Sequence, residues 1–466
     1  MSQSGHDLAV IGGGPGGYPG AIRAAQLGLR VVLFEERGLG GECTLYGCVP
    51  TKTIMQYAAA SAALARLGAE PGLDPARVWM EARRVAQELS AGIESLLARH
   101  GVKVVKARAR LVAPGVVEAG GARVEARAVL LAPGSRPVAP PGVFVDNKVV
   151  LDNRGWLEKP PARGEEVLVV GGGAVGVEAA AAAAMLGARV VLVEALPRLL
   201  PGLPRGLAAA ATRVLRRLGV AVETGCPVEE ISAEGGGARV RLCGGVRRFS
   251  RVLVATGRRP ATDGLGLKEA GVRLDEKGYI VVNEFLETSA PGVYAAGDAA
   301  GPPMLAHKAI HESLIAATNA ASMLDRSVKK ARRDTWAIPI VVHLGHVEAV
   351  SVGVSLDEAR KRGLGVARVR LGWSLYAVTL GAAEGYAALV YEPDTGRVLG
   401  YEALAPGAGD SVALAAAAVR HGLTVYDLAS TVYPHPERVE QVAEAALAAL
   451  GFPLHYYTAR VSGPRG

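Results

Sequence analysis

The chain has 466 residues, of which half are hydrophobic, and its formal net charge is +8. This length is enough for about three domains, and no run of about 18 apolar residues is present to form a transmembrane helix. Because the basic residues are scattered, nucleic-acid binding is not expected, and four cysteines in so long a chain do not form an extracellular disulfide framework.

The N-terminal stretch Met1–Val10 carries Asp7 and has no basic segment or cleavage site, which predicts a cytoplasmic protein without a membrane partner. An apolar strand over 7–11 leads into the G-x-G-x-x-G pattern of Gly12, Gly14 and Gly17. A helix and a second strand follow.

The second strand ends in Glu35. Glycines in this context let a pyrophosphate approach the helix N-terminus, and the acid accepts a hydrogen bond from a ribose hydroxyl. The first part of the chain therefore predicts a dinucleotide site.

Two cysteines, Cys43 and Cys48, come directly after this unit and are followed by Lys52. The C-x4-C loop is too open for a thioredoxin-like pair and lacks the second Cys/His pair of a zinc site, so no metal site is expected. The pair can close a small disulfide ring, and the lysine can favour a thiolate. Two unrelated buried cysteines are the alternative interpretation.

The pattern then predicts helices over 52–67 and 75–100 and strands over 102–105 and 123–131. A proline-rich linker over 140–142 separates this region from the next.

The glycine pattern recurs at Gly171, Gly173 and Gly176, between a strand over 167–170 and a strand that ends in Glu194. Two dinucleotide units in one chain are typical of a flavoprotein that exchanges electrons with a nicotinamide. Glu194 would bind the adenosine ribose and repel a 2′-phosphate, which favours NAD, whereas the nearby Arg198 leaves NADP as a less favoured alternative.

Three further residues of this second unit are candidates for a structural or a functional role. Glu178 lies on an alanine-rich helix, where it is either on a solvated face or a carboxylate partner for Lys52. Cys226 and Cys243 have no basic neighbours or evident partners, so we expect core or surface thiols.

The last part of the chain returns to the first unit and then adds a tail. A strand ends in Gly297-Asp298, where an acid can bind a ribityl hydroxyl, and a helix that opens near His307 can favour negative charge on a flavin. His343 and His346 lie three apart on a predicted strand, so we expect them to face opposite ways and to be structural.

His435 stands between two prolines, and Glu440 follows five residues later. A glutamate can orient a histidine ring and raise its basicity, as in a catalytic triad, although such pairs are often only structural. Thiol–disulfide chemistry needs a base near the outer sulfur, and this histidine is the best candidate.

Together these motifs resemble the two-cysteine flavoprotein disulfide reductases, and most closely the dihydrolipoamide dehydrogenases. The resemblance covers nearly the whole chain in order. It is carried by these segments: 12–17, 40–52, 171–176, 255–260, 297–298, 305–309 and 435–440.

The resemblance implies an α/β fold with two Rossmann-like dinucleotide-binding domains, for FAD and NAD, and a C-terminal α+β interface domain. The implied boundaries are 1–145 with 269–338 for FAD, 146–268 for NAD and 339–466 for the interface. The implied FAD residues are Gly12, Gly14, Gly17, Glu35, Glu36, Gly41, Lys52, Ala107, Gly134, Asp298, Leu305, Ala306 and His307. The implied NAD residues are Gly171, Gly173, Ala174, Val175, Gly176, Glu194, Val228, Ala255 and Gly257.

The same resemblance implies a mechanism and partners. His435, oriented by Glu440, would take a proton from a dihydrolipoyl thiol, whose thiolate attacks Cys43. Cys48 would become a thiolate beside Lys52, which Glu178 holds, and electrons would pass through FAD to NAD⁺. His435 and Glu440 of one subunit would complete the site of the other in a homodimer. The lipoyl domain of a 2-oxoacid dehydrogenase or glycine cleavage complex is the expected partner.

Some positions depart from the family pattern, above all Thr44-Leu45-Tyr46 between the cysteines, which puts the natural disulfide substrate in question. Mercuric reductases carry a C-terminal cysteine pair that this tail lacks, glutathione-type reductases want arginines for a 2′-phosphate, and coenzyme A disulfide reductases use one cysteine. The alternatives are another NAD(P)H-dependent disulfide reductase of the glutathione or mercuric reductase type, a quinone- or oxygen-reducing flavoprotein, and a non-enzymatic subunit of a lipoyl complex.

Overall fold

The computed structural model describes residues 5–69, 73–380 and 385–455. The chain divides into two compact units. The first consists of Met1–Thr53, Arg77–Val138 and Gly257–Asp334, and the second of Ile54–Ala76, Ala139–Thr256 and Thr335–Gly466. The three-domain boundaries stay a prediction. No helix of the described residues is long and apolar enough to cross a membrane.

The segment 5–138 forms a mixed sheet with helices. Its elements are β1 (His6–Ile11), α1 (Tyr18–Gln26), β2 (Val31–Phe34), α2 (Gly41–Tyr46), α3 (Cys48–Arg66), α4 (Pro75–Arg99), β3 (Lys103–Val105), β4 (Ala109–Ala113), β5 (Val116–Ala119), β6 (Ala122–Leu131) and β7 (Ser135–Pro137). The strand–glycine turn–helix–strand order predicted from the sequence is confirmed.

The cysteine segment differs from the open loop that the spacing suggested. Cys43 lies on α2 and Cys48 is the first residue of α3, so both cysteines are helical. Gly47 separates the two helices with φ −146° and ψ −103°. The break at this glycine keeps α2 and α3 from forming one continuous helix.

The segment 139–256 repeats the arrangement and adds an antiparallel sheet. Its elements are β8 (Val150–Leu151), α5 (Asn153–Glu158), β9 (Glu166–Val170), α6 (Ala174–Met185), β10 (Arg189–Glu194), α7 (Arg205–Arg217), β11 (Ala221–Thr224), β12 (Val228–Glu234), β13 (Gly237–Leu242), β14 (Gly245–Phe249) and β15 (Arg251–Val254).

The remaining segments return to the first unit and then complete the second. Residues 257–334 contain β16 (Arg258–Pro260), β17 (Val293–Ala295), a 3₁₀ turn (Gly297–Ala300) and α8 (Ala306–Leu324). Residues 335–455 contain β18 (Ile340–His343), β19 (Glu348–Gly353), α9 (Leu356–Lys361), β20 (Gly365–Arg370), a 3₁₀ turn (Leu371–Trp373), α10 (Leu375–Thr379), β21 (Tyr386–Tyr391), β22 (Val398–Ala405), α11 (Ala408–His421), α12 (Val425–Ser430) and α13 (Glu440–Ala449).

The two sheets that carry the glycine turns share their central strand order. The first sheet runs β3-β2-β1-β6-β5-β4 with β17 also on β6, and the second runs β11-β10-β9-β15-β8. The strands that follow the glycine turns pair in parallel with β1 and β9. Parallel sheets need cover on both faces, and alternate residues of β1 do enter two separate cores, Leu8 and Val10 in one and Ala9 and Ile11 in the other.

Three smaller sheets complete the fold: the meander β12-β13-β14, the pair β16-β7, and the antiparallel sheet β18-β19-β22-β21-β20. The last of these packs on α11, α12 and α13 around a buried core that includes Val350, Leu389 and Val442. The α/β class with a C-terminal α+β region is thus confirmed.

Two sequence expectations are wrong. His343 ends β18, but His346 lies in the turn before β19, because the chain reverses at Gly345 (φ +84°). Cys226 and Cys243 are not separate thiols, since a disulfide joins them with a Cα–Cα distance of 5.0 Å. The pairing was not evident from the sequence because it depends on the fold of the β12-β13-β14 meander.

Candidate active site

Both glycine-rich turns are shaped by the same close approaches. A Cβ atom added to Gly12 would collide with the Ala132 carbonyl, and one added to Gly17 would collide with the Gly12 carbonyl. In the second unit, Gly171 and Gly176 face the Ala255 and Gly171 carbonyls in the same way. These glycines are therefore required by packing within the protein.

The middle glycine of each motif has a different role. A Cβ on Gly14 would approach nothing closer than the Gly41 Cα, at 3.7 Å, and one on Gly173 would meet nothing within 4 Å. The protein thus leaves room at these two positions, as expected where backbone N–H groups face a pyrophosphate. The residues present fit two bound dinucleotides.

The acid at the end of the second strand has the same contacts in both units. Glu35 Oε2 accepts from Gly13 N at 2.7 Å, and Glu194 Oε2 accepts from Gly172 N at 2.6 Å. In each case Oε1 accepts from a backbone N–H two residues further on, at 2.8 Å. The ribose-binding acid predicted from the sequence is therefore fixed to its own glycine turn.

A hydrogen-bonded chain runs from Asp298 to the cysteine segment. The Ser135 hydroxyl donates to Asp298 Oδ2 at 2.5 Å, and Arg258 Nε donates to the same hydroxyl oxygen at 2.7 Å. Arg258 Nη2 lies 3.0 Å from Glu42 Oε2. Glu42 directly precedes Cys43, so this chain joins the predicted ribityl acid to the cysteine helix.

The turn that carries Asp298 rests on a buried ionic cluster. Lys308 Nζ donates to the Gly297 and Gly301 carbonyls at 3.1 and 2.7 Å, and Glu312 Oε2 accepts from Gly297 N at 2.9 Å. Lys308 and Glu312 pair at 3.1 Å with side chains 1% exposed, and Arg333 Nη2 lies 2.6 Å from Glu312 Oε1. Sequence reasoning missed this cluster, although the charges at 308 and 312 on a helix that follows the turn could have indicated it.

Cys43 and Cys48 lie side by side as thiols, Cys43 half-buried and Cys48 exposed. The hydrogen bond with Cys48 raises the pKa of the Cys43 thiol, burial raises it further, and the charge of Lys52 acts in the opposite direction. The structure thus brings the three predicted residues of the cysteine segment together.

The surroundings of Cys43 were only partly predicted. Tyr18 lies at the start of α1, near Cys43. Burial raises the pKa of its phenol, and the charge of Cys43 raises this pKa further. Thr44 is buried beside Gly40, whereas Leu45 and Tyr46 are half-buried. Of the three unusual residues between the cysteines, Thr44 thus belongs to the interior.

The other predicted FAD residues lie in the same unit. Gly41 packs so closely on Gly14 that a Cβ would lie 2.8 Å from the Gly14 Cα. Ala107 follows β3, and Gly134 (φ +71°) accepts from Ala261 N at 3.0 Å. Glu36 is half-exposed and pairs with Arg37. Leu305 caps α8, which begins at Ala306 and His307.

The other predicted NAD residues surround the second glycine turn or follow it in the chain. Ala174 and Val175 are exposed at the start of α6, and Ala255 N donates to Val170 O at 2.7 Å. Val228 begins β12, and Gly257 (φ +133°) lies just beyond the boundary of the second unit.

Arg198, the residue that kept NADP as an alternative cofactor, is bound within its own loop. Its guanidinium donates to the Leu200, Leu203 and Pro201 carbonyls at 3.1, 3.0 and 2.8 Å. Because these three backbone carbonyls occupy the guanidinium, the side chain is not placed to bind a 2′-phosphate. This arrangement favours NAD.

Glu178 is buried rather than on a solvated helix face, with 6% of its surface exposed. Its Oε1 accepts from His343 N at 3.0 Å. This contact fixes the carboxylate between α6 and β18. A pairing with Lys52 stays a prediction.

His435 and Glu440 form the predicted pair. His435 Nδ1 lies 2.6 Å from Glu440 Oε1, and Glu440 Oε2 accepts from Glu437 N at 2.8 Å. The histidine side chain is 56% exposed and the glutamate side chain 26%. A carboxylate held by a backbone N–H thus fixes one ring nitrogen and leaves the other side of the ring open to solvent, as a general base requires.

Two dinucleotide units and a cysteine pair beside a lysine define a flavin-dependent oxidoreductase that acts on sulfur groups, with FAD and NAD as its cofactors. The chain matches the pyridine nucleotide-disulphide oxidoreductase family over residues 6–313 and the dimerisation domain of that family over residues 338–446. It therefore belongs to the pyridine nucleotide-disulphide oxidoreductase family, and its dimerisation domain supports a homodimer.

Similar proteins agree with this assignment. The chain is 40% identical to the dihydrolipoyl dehydrogenase of Thermus scotoductus, over 95% of this chain and 97% of the relative. It is 33% identical to the dihydrolipoyl dehydrogenase of Geobacillus stearothermophilus, over 97% and 98%. Among solved structures, LpdA from Mycobacterium tuberculosis superposes with a TM-score of 0.88 at 27% identity, covering 94% of this chain and 99% of that one.

Proposed function

We propose that the protein is a dihydrolipoyl dehydrogenase, which oxidises dihydrolipoyl groups with NAD⁺. The observation that carries the proposal is the Cys43–Cys48 pair: the two cysteines are in contact with each other beside Lys52, in the unit that would hold FAD. The dihydrolipoyl dehydrogenases at 31–40% identity, which align with nearly the whole chain, support the choice of substrate.

The contacts of the glycine turns support the cofactor residues. FAD would occupy the first unit, with Glu35 at its adenosine ribose and Asp298 at its ribityl chain, and NAD would occupy the second, with Glu194 at its ribose. The N-terminus of α8 would face the flavin. A bound FAD supplies the two-electron acceptor between the cysteine pair and NAD⁺.

The side chains of this chain would carry out the thiol chemistry. His435, oriented by Glu440, accepts a proton from the substrate thiol, and the resulting thiolate attacks Cys43 in the oxidised pair. Cys48 leaves as a thiolate, and the second substrate thiol then releases Cys43 and closes the lipoyl disulfide. Contact with Cys48 and burial raise the pKa of the Cys43 thiol, and the charge of Lys52 would stabilise the Cys48 thiolate as it leaves.

Three further proposals concern the surroundings of the site and its partner. Glu178 would hold Lys52, and His435 and Glu440 of one subunit would serve the cysteine pair of the other. The physiological dithiol would be a lipoyl domain of a 2-oxoacid dehydrogenase or glycine cleavage complex. A cytoplasmic location stays a prediction.

The test is NADH formation by the FAD-loaded protein from dihydrolipoamide and NAD⁺. His435→Ala is expected to lower kcat by about 10²- to 10⁴-fold, the usual contribution of a general base. Glu437→Gln is the matched control, because this residue contacts Glu440 through its backbone N–H. It is expected to retain most of the activity.

Two outcomes would contradict the proposal. Slow turnover by the wild-type protein, with a flavin that NADH still reduces, would indicate a different disulfide substrate. Quinone reduction that is faster than dihydrolipoamide oxidation and unchanged in Cys43→Ser would indicate a flavoprotein whose cysteines do not take part.

A further inference from the structure

The second cysteine pair lies outside the chemistry described above. Cys226 follows β11, and Cys243 lies at the tip of the hairpin between β13 and β14. Their disulfide joins the parallel sheet of the second unit to the antiparallel meander. No described contact of this disulfide involves the Cys43–Cys48 pair.

The turn at Cys243 is unfavourable for cysteine. Leu242 and Gly245 pair across the hairpin, and the two residues between them, Cys243 and Gly244, have φ values of +49° and +73°. A two-residue turn with two positive φ values favours Asn or Asp followed by Gly, and other side chains are rarely found there. The backbone conformation of this turn would not by itself favour cysteine. The disulfide therefore explains why a cysteine occupies position 243.

The two sulfurs differ in access. Cys226 is buried with 3% exposure, whereas Cys243 is exposed. An incoming thiolate would therefore attack Cys243 and release Cys226, since exchange requires access to the sulfur that is attacked. This asymmetry between an accessible and a buried sulfur suits a pair that opens and closes.

A carboxylate lies beside both sulfurs. Glu223 Oε2 is 3.8 Å from Cys243 Sγ and 4.0 Å from Cys226 Sγ, and Arg247 Nη1 pairs with Glu223 Oε1 at 2.7 Å. The negative charge disfavours a thiolate at either cysteine, so a released sulfur would take up a proton. A dithiol suits the opening of the pair, because its second thiol completes the exchange within one molecule.

The disulfide is connected to the dinucleotide-binding acid. Cys226 N donates to Glu194 O at 2.9 Å, and the preceding Gly225 N donates to Leu196 O at 2.9 Å. The Glu194 carboxylate in turn accepts from Gly172 N at 2.6 Å. The contacts thus run without a gap from the hairpin tip through Cys226 and Glu194 to the glycine turn.

We propose that Cys226–Cys243 is a second thiol–disulfide site, which exchanges with small dithiols and which in its disulfide form holds Glu194 and the glycine turn in the arrangement that binds the adenosine half of NAD. The proposal rests on the proposed function only for the identity of the dinucleotide in the second unit.

The exchange is balanced in atoms and electrons. A thiolate of the dithiol bonds to Cys243 Sγ as the Cys226–Cys243 bond breaks, and Cys226 leaves with the electron pair and takes up a proton. The second thiol of the same dithiol then attacks the dithiol sulfur that is bonded to Cys243. This step releases Cys243, which is protonated. The dithiol ends as a cyclic disulfide, two electrons reduce the cysteine pair, and two protons pass to it.

The first part of the test measures the bond itself. Free thiols are counted by alkylation and mass measurement in the Cys43→Ser/Cys48→Ser variant, in which Cys226 and Cys243 are the remaining cysteines. The protein is expected to carry no free thiol at 226 and 243 when purified in air, and two after equilibration with excess dihydrolipoamide. Two free thiols in the air-purified protein would overturn the proposal.

The second part measures binding of ADP-ribose, which lacks the reactive nicotinamide, to the FAD-loaded protein by calorimetry. Cys243→Asn removes the sulfur but suits the turn, and we expect about a fivefold or larger increase in Kd, in the range of coupling between connected sites. Gly235→Asn places the same residue in the turn between β12 and β13, where Gly235 and Gly236 have φ values of +55° and +80°. This control is expected to bind as the wild type does.

Cys226→Ser provides an independent check at the other end of the bond. Equal ADP-ribose affinity in wild type, Cys243→Asn and Cys226→Ser would overturn the coupling. Because ADP-ribose binding does not involve lipoyl turnover, this result is distinguishable from a failure of the proposed function.

Discussion

At the scale of single residues, charge pairs hold the ends of the first two strands. Arg30 N and Nε both donate to Asp7 Oδ2 at 3.0 Å, and Nη2 donates to Oδ1 at 3.2 Å. The hydrogen bond from the Arg30 side chain is the main reason that the pKa of Asp7 is lowered in the folded protein. Asp7 lies near the start of β1, the strand that leads into the first glycine turn, so this pair fixes the strand that supports the turn.

The lowered pKa makes this contribution depend on pH. A carboxylate whose pKa is lower in the folded than in the unfolded state stabilises above the unfolded value of about 3.9, and the effect is lost as the pH falls through the folded value. We expect Asp7→Asn to reduce the free energy of unfolding at pH 7 by about 1 kcal/mol or less, since Arg30 is partly exposed.

The measurement is urea unfolding of wild type and Asp7→Asn at pH 7 and again below pH 3. The difference between them is expected to shrink at the lower pH. Glu94→Gln, which removes an exposed pair with Lys106 at 2.8 Å, is the control and should change little. A difference for Asp7→Asn that is independent of pH would contradict the assignment.

At the scale of elements, α8 serves the turn before it as well as the core. Lys308 and Glu312 lie one helical turn apart on α8, and both bind the backbone of the 3₁₀ turn that carries Asp298. Burial lowers the pKa of Lys308, while Glu312 counteracts this effect. The buried charges thus couple the position of Asp298, the acid proposed to bind the ribityl chain, to the helix.

Glu312→Gln is expected to destabilise the protein by about 3–5 kcal/mol, because it leaves the buried Lys308 and the neighbouring Arg333 without their anion. The amide would also bind Gly297 N more weakly, so FAD is expected to dissociate more readily during unfolding. Chemical unfolding followed by flavin fluorescence measures both effects.

Glu284→Gln is a matched control, because it removes an exposed pair with Arg332 at 3.3 Å. A loss as small as that of Glu284→Gln would show that the cluster on α8 is not a stabilising unit.

At the scale of the whole molecule, the dimerisation domain and the position of His435 lead to a test by complementation. If the histidine of one subunit serves the cysteines of the other, Cys43→Ser and His435→Ala chains together form heterodimers with one intact site. Mixed dimers selected through two different tags should then show about one half of wild-type activity, since each has one of its two sites intact.

The readout is dihydrolipoamide oxidation by co-purified chains that carry two different affinity tags, with each variant alone as the control. Activity no higher than the sum of the single variants would place the base and the cysteines in the same subunit.

The sequence predicted the parts of the fold that depend on local pattern. The turns at Gly12 and Gly171, the acids at Glu35 and Glu194, and the helix that opens at Ala306 lie where the motifs indicated. Their geometry depends on backbone requirements that only certain residue types meet. The bounds of these elements therefore agree with the predictions to within a few residues.

Features that depend on distant parts of the chain were not predictable in this way. Cys226 and Cys243 are 17 residues apart and meet only because the meander folds back. Glu178 is buried because β18 covers its helix, through a contact 165 positions along the chain. The pairing of Arg258 with Glu42 likewise spans 216 positions, and no local pattern could reveal it.

The matched contacts of Glu35 and Glu194 with their glycine turns also have a kinetic consequence. Each carboxylate is held by N–H groups of its own loop, so the binding surface is preorganised by the protein itself. A dinucleotide then binds without waiting for a slow rearrangement of the loop, and its association rate should approach the limit set by encounter. Differences in affinity between the two sites, and between variants of either one, would accordingly appear mainly as differences in residence time.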